Sequence, residues 1–366
     1  MSADVFSDVK NKLGFGCMRF PLRADKSVDT EQVCSMVDLF ISEGFNYFDT
    51  AHGYLDGQSE TVLRTCLTSR YPRSAYLLAD KLSNAFFEKE EDILPLFRSQ
   101  LEACGAEYFD YYLMHALNKS YYEKYRACNA FGIVRDLRAQ GLVRHMGMSF
   151  HDSADVLDMI LSEEKDIEFV QLQVNYLDWE SEEVQSRLCC DVCRKHGVRV
   201  IIMEPVKGGT LSQLLPEAAS VLDRLPDRQS NASYALRFAA GIDVVSVVLS
   251  GMSTLSQVEE NTRLLKSVKP LNEEEMQAIK EVAEITQRHG SIACTACNYC
   301  TEVCPVKMPV SSIFALMNRN EGTYAGITKE TKASDCLNCG RCEAACPQGL
   351  PIRRYLGQAV FRYETE

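Results

Sequence analysis

Eight short apolar runs recur along the first two thirds of the chain: LGFGCM from Leu13, FNYFD from Phe45, AYLLAD from Ala75, YFDYYLMH from Tyr108, VRHMGMS from Val143, EFVQLQVN from Glu168, VRVIIMEP from Val198 and DVVSVVLSG from Asp243. Their length and composition predict strands. Helical patterns lie between them. The clearest is Thr30 to Glu43, where Val33, Met36, Val37, Phe40 and Ile41 form one stripe and Gly44 supplies the stop. Similar amphipathic runs begin at Ser59, Glu88, Asn129, Ser153, Glu182, Ser230 and Ser256. Eight strands, each followed by a helix within roughly 250 residues, predict an α/β fold of the (β/α)8 TIM-barrel type rather than an open doubly wound sheet. From Leu271 the pattern changes: NEEEMQAIKEVAEITQRHG predicts a charged, amphipathic helix ending at Gly290. The expected organisation is a barrel over residues 1–270, a linker helix over 271–290 and a small module over 291–366.

The composition narrows the partners. Of 366 residues, 46% are hydrophobic and 25% charged, enough for a large domain and a smaller one. A net charge of -12 and a pI near 5.2 argue against nucleic acid or an anionic membrane as partner. MSADVFSDVK lacks a signal-peptide run, and no window approaches the ~20 apolar residues of a membrane span, so a cytoplasmic protein is expected. Sixteen cysteines are too many for a reducing compartment to hold as disulfides. Eight are scattered from Cys17 to Cys193, and eight are packed between Cys294 and Cys346.

The packed eight form two copies of one motif. Cys294-x2-Cys297-x2-Cys300-x3-Cys304-Pro305 is followed by Cys336-x2-Cys339-x2-Cys342-x3-Cys346-Pro347. Paired C-x2-C also suits zinc. Four cysteines at this spacing with a terminal proline, twice over, instead specify two [4Fe-4S] clusters. In such runs the fourth cysteine serves the other cluster, which groups Cys294, Cys297 and Cys300 with Cys346, and Cys336, Cys339 and Cys342 with Cys304. The 31 residues between the copies contain the helical run SSIFALMNRN, so the module is expected to be helix-rich, similar to helical ferredoxin domains of redox enzymes. Cys189, Cys190 and Cys193 fall in an amphipathic helical run and are expected to be small buried hydrophobes.

Chemistry gathers at three successive strand ends. FNYFD ends in Asp49 with Tyr54 on the loop beyond, AYLLADK ends in Lys81, and YFDYYLMH ends in His115. In a parallel barrel those ends converge on one rim. A phenol useful at neutral pH needs a nearby cation, and a cation in a rim pocket needs a carboxylate. Any one of these residues alone would suit a structural ion pair or a core histidine; the set in one register predicts an active site.

With GFNYFDTAHGYLDGQSE, the Lys of ADKL, the His of YLMH, GMSFH after the fifth strand and GMSTLSQVEEN after the eighth, the chain resembles the aldo/keto reductase family over about Lys12 to Leu265. The resemblance implies a nicotinamide cofactor, NAD(P)H, at the C-terminal rim, Tyr54 as the acid that protonates a carbonyl oxygen, Lys81 paired with Asp49 to hold the phenol's pKa down, and His115 to orient the carbonyl. It places Ser149 and Gln171 at the carboxamide, with Phe150 where Asn is common and Met203 where an aromatic ring usually stacks. Gly251 to Asn261, including Gln257, contains no Lys or Arg for a 2′-phosphate, and Lys207 is left as a possible pyrophosphate contact. The expected function is oxidoreduction of a carbonyl or alcohol, coupled through the clusters to a ferredoxin or flavodoxin. A cluster-fed reductase without nicotinamide and a redox-sensing protein on an idle barrel are the alternatives. Tyr121, Tyr122, Tyr125 and Phe131, in a run read as a loop after His115, are candidate pocket walls.

Overall fold

A computed structural model describes residues 5–290, 292–319 and 322–364, so Ser291 and the last residue of SSIFALMNRN, Asn320, lie outside the described residues. The strands β1 (Leu13–Gly16), β2 (Tyr47–Asp49), β3 (Leu77–Leu82), β4 (Phe109–Leu117), β5 (Val143–Phe150), β6 (Phe169–Gln173), β7 (Arg199–Met203) and β8 (Val245–Gly251) close into a parallel barrel in sequence order. Each pairs with the next, and β8 returns to β1 with Leu13 opposite Val248.

The two-residue period of a strand sorts each side chain. On β3, Leu77 and Ala79 join Tyr47, Tyr111, Leu113, Phe169, Ile201 and Val247 inside the barrel, and Phe6 stacks on Tyr111 with ring centroids 5.2 Å apart. Next in that inward series comes Lys81. Asp80, between them, points the other way and meets Gln100 and Cys104 of the helix Glu90–Cys104. Gly147 of β5 is dictated by packing, because a Cβ there would lie 2.4 Å from the Phe169 ring.

Helices alternate with the strands. Thr30–Ser42 is capped by Asp29, which accepts from the Gln32 amide at 3.3 Å, and Gly44 leaves it with φ +89°. After β2 the helix Gln58–Leu63 widens into a π-helical turn, Arg64–Thr68. The tyrosine-rich run after His115 is not a loop: Lys119–Ala127 is a helix capped by Asn118 through the Tyr121 amide at 2.9 Å. Tyr122, Tyr125 and Phe131 are buried. Cys189, Cys190 and Cys193 are buried on the helix Ser186–His196.

The chain divides into two compact units, residues 1–205 with 233–273, and residues 206–232 with 274–366. The second contains the helices Pro216–Leu222, Glu273–Arg288, Tyr299–Glu302, Val310–Arg319, Tyr324–Ile327, Arg341–Ala344 and Ile352–Tyr363, around a core that includes Met308, Ile313, Phe314, Ile352 and Leu356. Among its described residues beyond Ile292 there is no strand. Residues 206–232 are tied to this unit by Arg224–Glu281 at 2.7 Å, His289–Glu217 at 2.9 Å and Gly208. Gly208 has φ +60°, and a Cβ on it would lie 2.5 Å from the Thr295 carbonyl oxygen, so only glycine permits the approach.

Candidate active site

Lys81 is the centre of the rim. It is fully buried, and its Nζ donates to Asp49 Oδ1 at 2.6 Å and to the Thr50 carbonyl at 2.6 Å. Tyr54 arrives on a tight loop in which Leu55, Asp56 and Gly57 all have positive φ. The ring of Tyr54 lies 4.8 Å from Lys81 Nζ and 6.0 Å, edge-on, from the His115 ring. Burial pushes the Asp49 carboxyl up from its ordinary range, against the pull of Lys81. Burial holds His115 well below the usual imidazole range, with Lys81 and His151 adding to the effect. The four side chains thus make one cluster containing a compensated charge pair, a phenol and a neutral imidazole.

Three partners hold this cluster: Ser83, which the sequence does not announce, Tyr125, expected only as a pocket wall, and Gln171, expected at the carboxamide. Ser83 Oγ lies 2.6 Å from His115 Nδ1. The Tyr125 hydroxyl donates to the Leu82 carbonyl and accepts from the His115 amide at 3.1 Å. Gln171 donates to Asp49 Oδ2 at 3.4 Å, while its own Oε1, buried, has no hydrogen-bond partner. On β5, Ser149 Oγ accepts from the Ala116 amide at 2.7 Å, and Phe150 is buried beside it in the strand. Met203 ends β7 half-buried. At the end of β8, Asn261 donates to Ser250 Oγ at 3.1 Å, Gln257 accepts from the Ser253 amide at 2.7 Å, and Gly251 is covered by the side chain of Arg19, which also meets Glu204 at 3.6 Å. Lys207 is buried and belongs to the second unit.

Behind β3 sits a second polar group. Asp80 Oδ1 accepts from the Lys81 amide at 2.8 Å and from Gln100 at 3.1 Å, and Gln100 is held by the Tyr112 hydroxyl at 2.6 Å. Glu60 Oε2 meets His52 Nδ1 at 3.0 Å, while its Oε1 has no hydrogen-bond partner. Burial, then the neighbouring Glu60, push the Asp80 carboxyl well up, because two adjacent buried carboxyls cannot both be ionised.

In the second unit the two cysteine motifs fold alike. Ala296 and Asn338 take positive φ at matching places, as do Asn298 and Gly340, and Lys307 and Gly349. The Ala296 and Asn338 amides each donate to the first thiol of their copy, Cys294 and Cys336, at 3.4 Å. Such turns gather amide hydrogens around an anionic centre. Cys304 lines one cavity together with Cys336, Cys339 and Cys342. Burial, followed by the nearby Cys294 and Cys346, pushes the Cys300 thiol up to about 12. The donor set therefore fits iron–sulfur clusters.

A closed parallel barrel with this rim, followed by a two-motif cysteine module, defines a barrel oxidoreductase carrying a [4Fe-4S] dicluster domain. The profile of the aldo/keto reductase family matches residues 12–284, and the chain belongs to that family; the 4Fe-4S dicluster domain matches residues 293–350. Among curated proteins, the uncharacterized oxidoreductase YqkF of Bacillus subtilis (strain 168) is 22% identical over 302 residues, 74% of this chain and 92% of that one. Aldo-keto reductase AKR11C1 from Bacillus halodurans, in its holo form, aligns with a TM-score of 0.60 and 25% identity, covering 75% of this chain and 92% of its own. A Klebsiella pneumoniae aldo-keto reductase in complex with NADPH shares the fold, with a TM-score of 0.61 and 18% identity over 74% and 91% of the two chains. Among the described residues no helix is long and apolar enough to cross a membrane.

Proposed function

We propose that the barrel interconverts a carbonyl and an alcohol, with Tyr54 delivering the proton to the carbonyl oxygen and withdrawing it in reverse. The observation that carries this reading is Lys81: a buried ammonium held by Asp49 Oδ1 and the Thr50 carbonyl, 4.8 Å from the Tyr54 ring. A cation so placed stabilises the phenolate and brings the phenol toward the range where it exchanges protons at neutral pH. His115, kept neutral by burial and engaged at Nδ1 by Ser83, offers its other ring nitrogen to orient the carbonyl.

The residues present fit a nicotinamide. The buried Gln171 Oε1 lacks the donor that a carboxamide N–H supplies, and Ser149, whose oxygen already accepts from Ala116, retains a hydroxyl hydrogen to donate. Met203 provides a soft surface for the ring. NAD(P)H, when bound, supplies the hydride. Gly251 to Asn261 carries no Lys or Arg, Gln257 and Asn261 are engaged within the chain, and Arg19, which covers Gly251, is paired with Glu204, so we infer that NADH serves at least as well as NADPH. In the second unit, Cys294, Cys297 and Cys300 with Cys346, and Cys336, Cys339 and Cys342 with Cys304, would hold two clusters, which carry single electrons when bound. A ferredoxin- or flavodoxin-type carrier is the corresponding partner.

Tyr54→Phe removes the proton donor with little change of shape. Turnover of a panel of aldehydes and ketones should fall ~10²–10⁴-fold while calorimetric NADH binding persists. Full activity in this variant would move the chemistry away from Tyr54.

A further inference from the structure

Away from the rim and the cluster loops, two cysteine sulfurs touch. Cys34 lies on the helix Thr30–Ser42, Cys66 in the π-helical turn Arg64–Thr68, and their Sγ atoms are 2.6 Å apart. Forming a bond from there needs a closure of only about 0.5 Å, since a disulfide is ~2.05 Å long. The two thiols are not equivalent. Cys34 is half-buried, whereas Cys66 is fully buried and donates to the Thr30 carbonyl at 3.3 Å. Arg70 lies beside the pair, donating to the Cys66 carbonyl at 3.2 Å and to Asp38 at 2.8 Å, and burial, then the contact with Cys34, push the Cys66 thiol up, so that Cys66 is the partner that stays protonated until it is called on. A partly accessible thiol with a second, buried thiol in contact is the arrangement of an attacking and a resolving cysteine.

We propose that Cys34 and Cys66 form a reversible dithiol–disulfide couple, closed by exchange with a low-molecular-weight disulfide such as glutathione disulfide. Cys34 thiolate attacks one sulfur of the disulfide, breaking its S–S bond and releasing one thiol. Cys66 then loses its proton and attacks the Cys34 sulfur, releasing the second thiol. The protein loses two electrons and two protons, and one small disulfide is reduced to two thiols. The new bond joins the helix that precedes β2 to the turn that follows the Tyr54 loop, and so encloses β2, Asp49 and Tyr54 in one covalent ring.

The test uses the full chain, purified without oxygen and with its iron content measured before and after treatment. It is exposed to glutathione disulfide, blocked with N-ethylmaleimide and digested with trypsin without reductant. The peptide 27–64, carrying Cys34, and the peptide 65–70, carrying Cys66, should appear joined, two hydrogens lighter than their sum, and separate with dithiothreitol. In Cys66→Ser, Cys34 should keep the glutathione as a lasting mixed disulfide; in Cys34→Ser, Cys66 should stay a thiol. Recovery of both peptides in maleimide-blocked form, a link from either cysteine to a third, or an unmodified Cys34 in Cys66→Ser would each overturn the proposal.

Discussion

Replacing Lys81 by Met tests the rim at its most consequential point. Lys81 is fully buried and Asp49 nearly so, and the substitution removes both 2.6 Å hydrogen bonds at once. Asp49 is then a buried carboxylate without its cation, a situation that costs about 3–5 kcal/mol. For a barrel of this size that corresponds to a fall in Tm of roughly 6–20 °C. The loss should depend on pH with a definite sign. Burial already pushes the Asp49 carboxyl up, and without Lys81 nothing of opposite charge opposes that shift. A carboxyl whose folded pKa is raised contributes stability at low pH and loses it as pH rises from the unfolded value, ~3.9, toward the folded one. The deficit of Lys81→Met should therefore be smallest near the unfolded value, ~3.9, and grow as pH rises above it. Asp49→Asn/Lys81→Met should be flatter with pH and less destabilised than the two single deficits summed, by ~0.5–3 kcal/mol. Circular dichroism melts of the four proteins across that range decide it. A Lys81→Met protein melting within a degree or two of the parent, or deficits that simply add, would refute the buried-pair account.

Asp80→Asn keeps an acceptor for the Lys81 amide and Gln100 while removing one of two adjacent buried acids, so its Tm at neutral pH should equal or exceed that of the parent; a large fall would mean that Asp80 is needed ionised. His115 is neutral in the fold and titrates near 6.5 when unfolded, so it contributes stability that is lost as pH falls below about 6.5. His115→Gln should lessen the acid-side fall in Tm, and an unchanged slope would contradict a buried neutral imidazole. Anaerobically purified protein should contain about eight iron per chain. Cys304→Ser should alter the spectrum of the cluster held by the second motif, and an effect confined to the first would reverse the crossed assignment.

The strands were legible because β-forming apolar runs and their helical spacers repeat with a constant period, and the four rim residues because strand ends in a parallel barrel face one way. Ser83 was not legible: nothing local separates it from the many serines that begin loops, and only the return of β4 puts His115 beside it. Tyr125 was hidden for a different reason. The run Lys119–Ala127 is poor in aliphatic residues and its pattern suggests a loop, yet Asn118 caps it and burial of Tyr122 and Tyr125 fixes it as a helix. Arg19 shows the limit of searching one loop for a cation, since the side chain that covers Gly251 comes from the far end of the sequence. The cluster motifs were the most readable part, because ligand spacing is itself the chemistry. In the second copy Asn338 and Gly340 even mark the positive-φ turns, whereas Ala296 in the first gives no such sign.

The approach of Gly208 to the Thr295 carbonyl bears on how such a protein can be cut or fused. Residues 206–232 begin three residues beyond Met203, between the last two strands of the barrel, yet they share a compact unit with residues 274–366. A gene shortened just after Gly290 would thus not release a finished barrel; it would strip the β7–β8 connection of the Thr295 backbone that Gly208 packs against. Exchange of the cysteine module for another has to carry residues 206–232 with it, because any side chain at position 208 would collide with Thr295.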